Sequence, residues 1–135
     1  MPNSKELDEY IKGGKAIVWP KRFAVTKAEE PNCSCFAVIQ DYNEITLIVE
    51  EKKLDTVPAI EVERGWRMIT FDMVLHFGVV GFLARIAQAL AEAGIPIFTL
   101  SAYSTDHILV KQDNLDKAVY VLESLDLIVT EQEEM

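Results

Sequence analysis

The sequence predicts an α+β fold in which two amphipathic helices cover one face of an antiparallel sheet, and three observations carry that reading. Between Trp66 and Thr130 the apolar residues alternate between extended and helical spacing in the order strand, helix, strand, strand, helix, strand. Each helical segment carries a single apolar stripe, so each has one face that must be buried against something else. Gly94 and Pro96 mark the end of the first helix, which forces the chain to turn back.

Taken in order, Trp66 to Phe71 is the first strand of this region. A glycine-bearing loop, Asp72 to Val80, leads into a helix whose apolar face is Val80, Leu83, Ile86, Ala87, Leu90 and Ala93, with Arg85, Gln88 and Glu92 on the other side. Gly94 is placed where a left-handed residue ends a helix, and Pro96 cannot continue one. Ile97 to Tyr103 is rich in β-branched and aromatic residues and reads as a strand. Ser104, Thr105 and Asp106 then form a turn into a second short strand, Ile108 to Val110. Asn114 stands as a cap before Leu115, Ala118, Val119, Leu122 and Leu125, again at helical spacing. Leu127 to Val129 closes the series. This is the split β-α-β arrangement of a ferredoxin-like module.

The first half reads differently. Lys15 to Trp19 and Arg22 to Val25 are expected as strands, then a polar AEEPN stretch, then Cys35 to Gln40 and Thr46 to Val49 joined through Asp41 to Glu44. Glu51 to Leu54 has room for one helical turn. No long first helix is present, so residues 1–64 are expected to form a degenerate copy of the module in residues 65–135. Pro58 to Gly65 is short and partly extended, which favours two packed modules over two beads on a linker.

The segment GWRMITFDMVLHFGVVGFLARIAQALAEAGIPIFTLSAYSTDHILVKQDNLDKAVYVLE resembles the C-terminal module of small tandem ACT-domain proteins. That family also supplies building blocks of CASTOR-type cytosolic arginine sensors. CFAVIQDYNEITLIVEEKKL resembles the end of the shorter first module, and AYSTDHILV is the most specific block. The resemblance implies tandem ferredoxin-like (ACT) modules that bind a free amino acid and regulate through a module or dimer interface.

The chemistry of the residues is compatible with such a ligand. A loop running into a helix N-terminus presents unpaired backbone N–H groups and the positive end of the helix dipole, where a carboxylate fits. Gly78 and Gly81 allow close backbone approach there, or simply a tight entry to the helix. Asp106, at the expected hairpin turn, either binds its own backbone or complements a ligand ammonium or cationic side chain. Tyr103 and Thr105 stand beside it. The resemblance implies that Asp72, Met73, Gly78, Val79, Gly81, Tyr103 and Asp106 line the ligand site. It assigns nothing to His76.

Other classes fit less well. The chain has no G-x-S-x-G, no G-x-x-x-x-G-K, no H-E-x-x-H and no dinucleotide fingerprint, so an enzyme is not expected, nor a cofactor. Cys33 and Cys35 in a C-x-C spacing, with His76 and His107 far away, match no standard zinc pattern. A net charge of -9 argues against nucleic acid or an anionic membrane as partner. MPNSKELDEYIK lacks the apolar core of a signal peptide and no long apolar run follows, so a cytoplasmic protein is expected. Sheet edges that need pairing suggest a homodimer. The alternative is a protein-protein interaction module that pairs through those edges and binds no small molecule.

Overall fold

The structure, a computed structural model, describes residues 4–32, 34–73 and 81–133. Its elements run α1 (Ser4–Ile11), β1 (Lys15–Ala28), β2 (Ala37–Gln40), β3 (Ile45–Glu50), a 3-10 helix (Glu51–Thr56), β4 (Ala59–Asp72), α2 (Phe82–Glu92), β5 (Phe98–Ser101), β6 (Asp106–Lys111), a 3-10 turn (Gln112–Asn114), α3 (Leu115–Ser124) and β7 (Ile128–Glu131). The chain divides into two compact units. The first comprises Met1–Pro20 with Met68–Met135, and the second Lys21–Arg67.

In the first unit the strand order is β7-β1-β4-β6-β5. Alternation decides which residues face the helices: Ala16 and Val18 of β1, Ile69 and Phe71 of β4, and Ile108 and Val110 of β6 all enter one core. Onto it α2 turns Ile86 and Leu90 of the predicted apolar face together with Phe82, which that face does not include, and α3 turns Leu115, Ala118 and Leu122. Both helices therefore cover the same sheet face. Phe71 and Phe82 meet edge to face, centroids 5.3 Å apart at 81°. Helix α2 ends as its sequence dictates, with the Ile95 N–H returning to the Leu90 carbonyl at 3.0 Å. Asn114 does not act as a cap. It sits at the end of the 3-10 turn with no side-chain bond to α3, because that turn already leads the backbone into the helix.

The strand β7 forms where Leu127 to Val129 suggests, yet it does not close on β4. It pairs in parallel with β1, Lys15 opposite Ile128 and Val18 opposite Glu131, so β1 is inserted between β7 and β4. Helix α1, which the sequence reading left without structure, joins the same core: Ile11 is buried and Leu7 packs beside it. The N-terminal twenty residues thus complete the first unit, whereas the sequence places them in an N-terminal module ending at 64.

In the second unit the order is β2-β3-β1-β4. β3 pairs antiparallel with both β1, Phe23 opposite Glu50, and β2, Ala37 opposite Ile48. Asp41 fixes the β2–β3 turn by accepting from the Asn43 and Glu44 N–H groups at 2.7 and 2.9 Å, and these bonds hold its carboxyl below the usual range. Ala24, Val49 and Leu54 form a small core, and Phe23 meets Phe36 edge to face at 5.9 Å. Apart from the 3-10 helix this unit contains strands alone among the described residues.

Three expectations change here. Lys15–Trp19 and Arg22–Val25 are one continuous strand of 14 residues. Pro20 falls between the registers with β7 and β3, where a residue without an N–H is tolerated. Pro58 to Gly65, expected to be only partly extended, is strand from Ala59 onward and continuous with the strand expected from Trp66. Cys35 precedes β2 and is half-buried, while Cys33 lies outside the described residues.

The place of β1 in the first unit has a direct consequence. A fragment of residues 65–135 lacks the strand between β4 and β7 and the buried Ile11, Ala16 and Val18. It is expected to show no cooperative thermal transition by circular dichroism, whereas the whole chain does. A cooperative transition in the fragment at the same midpoint would contradict this account.

Candidate functional site

The site is built on β4 and β6. Ile69 and Phe71 point to the helix-covered face, so Thr70 and Asp72 belong to the other. On that face the Trp19 indole N–H donates to Thr70 Oγ1 at 2.8 Å, and Thr70 Oγ1 lies 2.7 Å from His107 Nδ1. The Thr105 hydroxyl lies 3.4 Å from His107 Nε2. Donor counting selects the state. With Trp19 donating into Thr70, the threonine proton is free to go to an unprotonated Nδ1, which leaves the Nε2 proton for Thr105. A charged imidazole would instead direct two N–H groups at hydroxyls and leave the Thr70 proton without this acceptor. Burial pushes the imidazole below its ordinary value and the nearby Asp106 charge opposes that only in part, which agrees with a neutral ring.

The Thr70–His107 contact also fixes the register around the candidate ligand residues. In the split β-α-β order β6 runs opposite to β4 and to β5. Two residues beyond Thr70, β4 ends at exposed Asp72; one residue before His107, β6 begins at half-buried Asp106. The end of β4, the start of β6 and the β5–β6 turn therefore meet at one end of the first unit. Met73 follows β4 and packs against the core. It lies so close to Gly14 that a Cβ there would stand 2.6 Å from its Sδ and Cε. Tyr103, in the turn, is 82% exposed.

Asp106 differs from expectation: it is not in the turn but is the first residue of β6, opposite Ser101. The turn is closed one residue earlier by the Ala102 N–H on the Thr105 carbonyl at 2.8 Å. Gly81 precedes α2 with φ +90°, a conformation that favours glycine, and no side chain caps the helix. The first acceptance within the helix is by the Gly81 carbonyl from Arg85 N–H, at 2.9 Å. Gly78, Val79 and His76 lie outside the described residues. Five of the seven candidate residues can thus be placed, and Asp72, Met73, Tyr103 and Asp106 lie at the end of the unit where β4 stops.

His107 is the residue that sequence reasoning passed over, having weighed it only for zinc. Its signal was a polar side chain opening the otherwise apolar run HILV, which in a buried strand demands hydrogen-bond partners. Among the described residues no three of His, Cys, Asp and Glu converge as a metal site.

The order of elements and the helix-covered face define a ferredoxin-like α+β module. Residues 61–124 match the family model for the ACT domain, and this part of the chain is an ACT domain. The cytosolic arginine sensor for mTORC1 subunit 1 of Homo sapiens is 31% identical over 110 residues, 77% of this chain and 33% of the sensor. The chain spans about a third of the length of the curated relatives it matches. A crystal structure of an Agobacterium tumefaciens protein superposes with a TM-score of 0.77 at 18% identity, covering 90% of this chain and 96% of that one. The structure of aspartokinase alpha and beta subunits gives 0.60 at 14% identity, covering 82% and 96%. At these identities the structural matches establish the fold. No helix among the described residues is long and apolar enough to cross a membrane.

The neutral imidazole makes stability depend on pH. The native state resists the proton that the unfolded chain takes up near the ordinary imidazole value of 6.5, so the contribution of His107 is full above that pH. It is lost as pH falls below 6.5 toward the lowered native value. Urea midpoints should therefore fall between pH 7.5 and 5.5, and a His107→Gln variant should show a flatter dependence over the same interval. An equal slope in the variant would remove His107 from this role.

Proposed function

We propose that the chain is an amino-acid-binding regulatory module, and that its ligand is a free amino acid held at the end of the first unit where β4 stops. The observation that carries the reading is the placement of two carboxylates at one end of the first unit, Asp72 at the end of β4, after which the chain goes on to α2, and Asp106 at the start of β6. A helix N-terminus without a side-chain cap, as at Gly81, suits the ligand carboxylate. Asp106, or Asp72 at the same end of the unit on the other face of the sheet, suits the ammonium or a cationic side chain. Tyr103 offers an aromatic face at the same end, and Met73 an adaptable apolar one.

Homology supports the same reading. Relatives that share 31% identity carry the name of arginine sensors, and two acidic side chains favour a cationic amino acid, so arginine is the first ligand to try. The signal would be a change of packing at an interface, with a homodimer as the assembly and no catalytic step. Gly78 and Val79 belong to this site by resemblance to the family.

A second reading has its own observation. Ile60 and Val62, two residues apart on β4 and therefore on one side of it, are 54% and 40% exposed, and Val38 and Ile39 of the edge strand β2 are exposed as well. Such a strand could recruit a partner protein by pairing at its edge without any small molecule.

Thermal denaturation of the whole chain against the twenty amino acids separates the two. A ligand at about a hundred times its dissociation constant stabilises the native state by roughly 2.7 kcal/mol, several degrees for a chain of this size. The expected result is a rise with one amino acid, arginine foremost, that disappears in Asp106→Ala while that variant still folds. No rise with any of the twenty would favour the partner-binding reading. An undiminished rise in Asp106→Ala would move the site elsewhere.

A further inference from the structure

We propose a second binding site, in the second unit, for a small polyanion: a phosphorylated metabolite or a compound with two or three carboxylates. The inference does not depend on the amino-acid site proposed above. It rests on a cleft of about 410 Å³ lined by Lys21, Arg22, Glu50, Glu51, Lys52 and Arg64. Four cations against two carboxylates surround this space, in a chain whose net charge is -9. The volume lies in the range of small-molecule sites, roughly 300 to 1,000 Å³.

Three separate stretches of chain contribute to it: β1 with Lys21 and Arg22, the junction of β3 and the 3-10 helix with Glu50 to Lys52, and β4 with Arg64. Solvated lysines on one surface strand need no explanation, but cations brought together from three segments around a concavity repel one another at short range.

Both carboxylates already have work. Glu50 stands opposite Phe23 in the sheet, which puts Lys21 on the diagonal, and Lys21 Nζ lies 2.9 Å from Glu50 Oε1. The lysine bond, more than the other nearby charges, holds the Glu50 carboxyl below its usual value against the opposing effect of burial. Glu51 Oε2 accepts the Gly65 backbone N–H at 2.6 Å and so ties the 3-10 helix to β4. These two contacts fix the walls. Glu50 Oε2 is buried without a hydrogen-bond partner, 3.9 Å from both Lys52 Nζ and Lys53 Nζ, so the charge exposed to a ligand is that of Arg22, itself exposed, and of Lys52, whose side chain is 70% exposed. A guanidinium fork beside an ammonium is the combination that recognises phosphate or clustered carboxylates.

Calorimetric titration of the whole chain with inorganic pyrophosphate and, separately, with citrate, at constant ionic strength, tests this. Saturable binding of at least one is expected, weakened at least tenfold in the Arg22→Gln, Lys52→Gln double variant, since each charged hydrogen bond lost is worth about a factor of ten or more. Response to pyrophosphate alone identifies a phosphoryl ligand, response to citrate alone a polycarboxylate, and response to both a site that selects charge over geometry; each supports the proposal. Absence of saturable heat with both probes overturns it. So does unchanged affinity in the double variant, whose fold is checked by circular dichroism. An arginine response retained in the double variant shows that the two sites are separate.

Discussion

The insertion of β1 between β4 and β7 is the constraint on which the first unit depends. Helices α2 and α3 each expose an apolar stripe that is costly in water, and the sheet must be wide enough to receive both. β4 and β6, with Ile97 just before β5, contribute part of that surface; Ala16 and Val18 of β1, with Val129 of β7 beside them, add to it. Ile11 of α1 enters the same core. Because the first strand lies between β4 from the middle of the chain and the last strand, β7, the unit cannot be assembled from local contacts alone, and loop closure over about a hundred residues must precede the reward of burial.

That same width holds the site residues in place. Thr70 lies between Trp19 and His107, on neighbouring strands, and the three side chains form a hydrogen-bonded row from β1 through β4 to β6. A row of this kind resists slippage, since moving one strand by a single residue would turn its polar member to the helix-covered face. The strand ends that bear Asp72 and Asp106 are therefore held by core packing on one face of the sheet and by the polar row on the other. Carboxylates placed on rigid strand ends would lose less freedom on meeting a ligand than the same groups on long loops.

The legible part of this structure is the part written in local periodicity. Helix α2 with its Gly94 and Pro96 exit, helix α3, and the β5–β6 hairpin all follow from apolar spacing and turn residues within a few positions. What escaped was non-local. Nothing in Leu127 to Val129 distinguishes a strand that pairs with β4 from one that pairs with β1, since both partners offer apolar residues at alternate positions. Pro20 reads as a break in isolation, and only the change of partner along β1 explains why the strand continues. Asp106 was legible as a site candidate but its place was off by one element, because Ser-Thr-Asp reads as a turn whether the aspartate closes it or starts the next strand. Asn114 likewise has the right chemistry for a cap, but capping needs a backbone geometry that the preceding 3-10 turn takes away.

His107 connects the fold to the chemistry proposed for it. A charged imidazole adjacent to Asp106 would satisfy that carboxylate internally and weaken its attraction for a ligand cation. Burial and the hydroxyls of Thr70 and Thr105 keep the ring neutral instead, at the cost of desolvating a polar group whose hydrogen bonds offset it. The negative charge at the start of β6 is then left available at the end of the unit where the ligand is proposed to bind. The row from Trp19 to Thr105 is then more than a structural tie: a neutral His107 adds no cation beside the preceding residue, Asp106, to compete with a ligand.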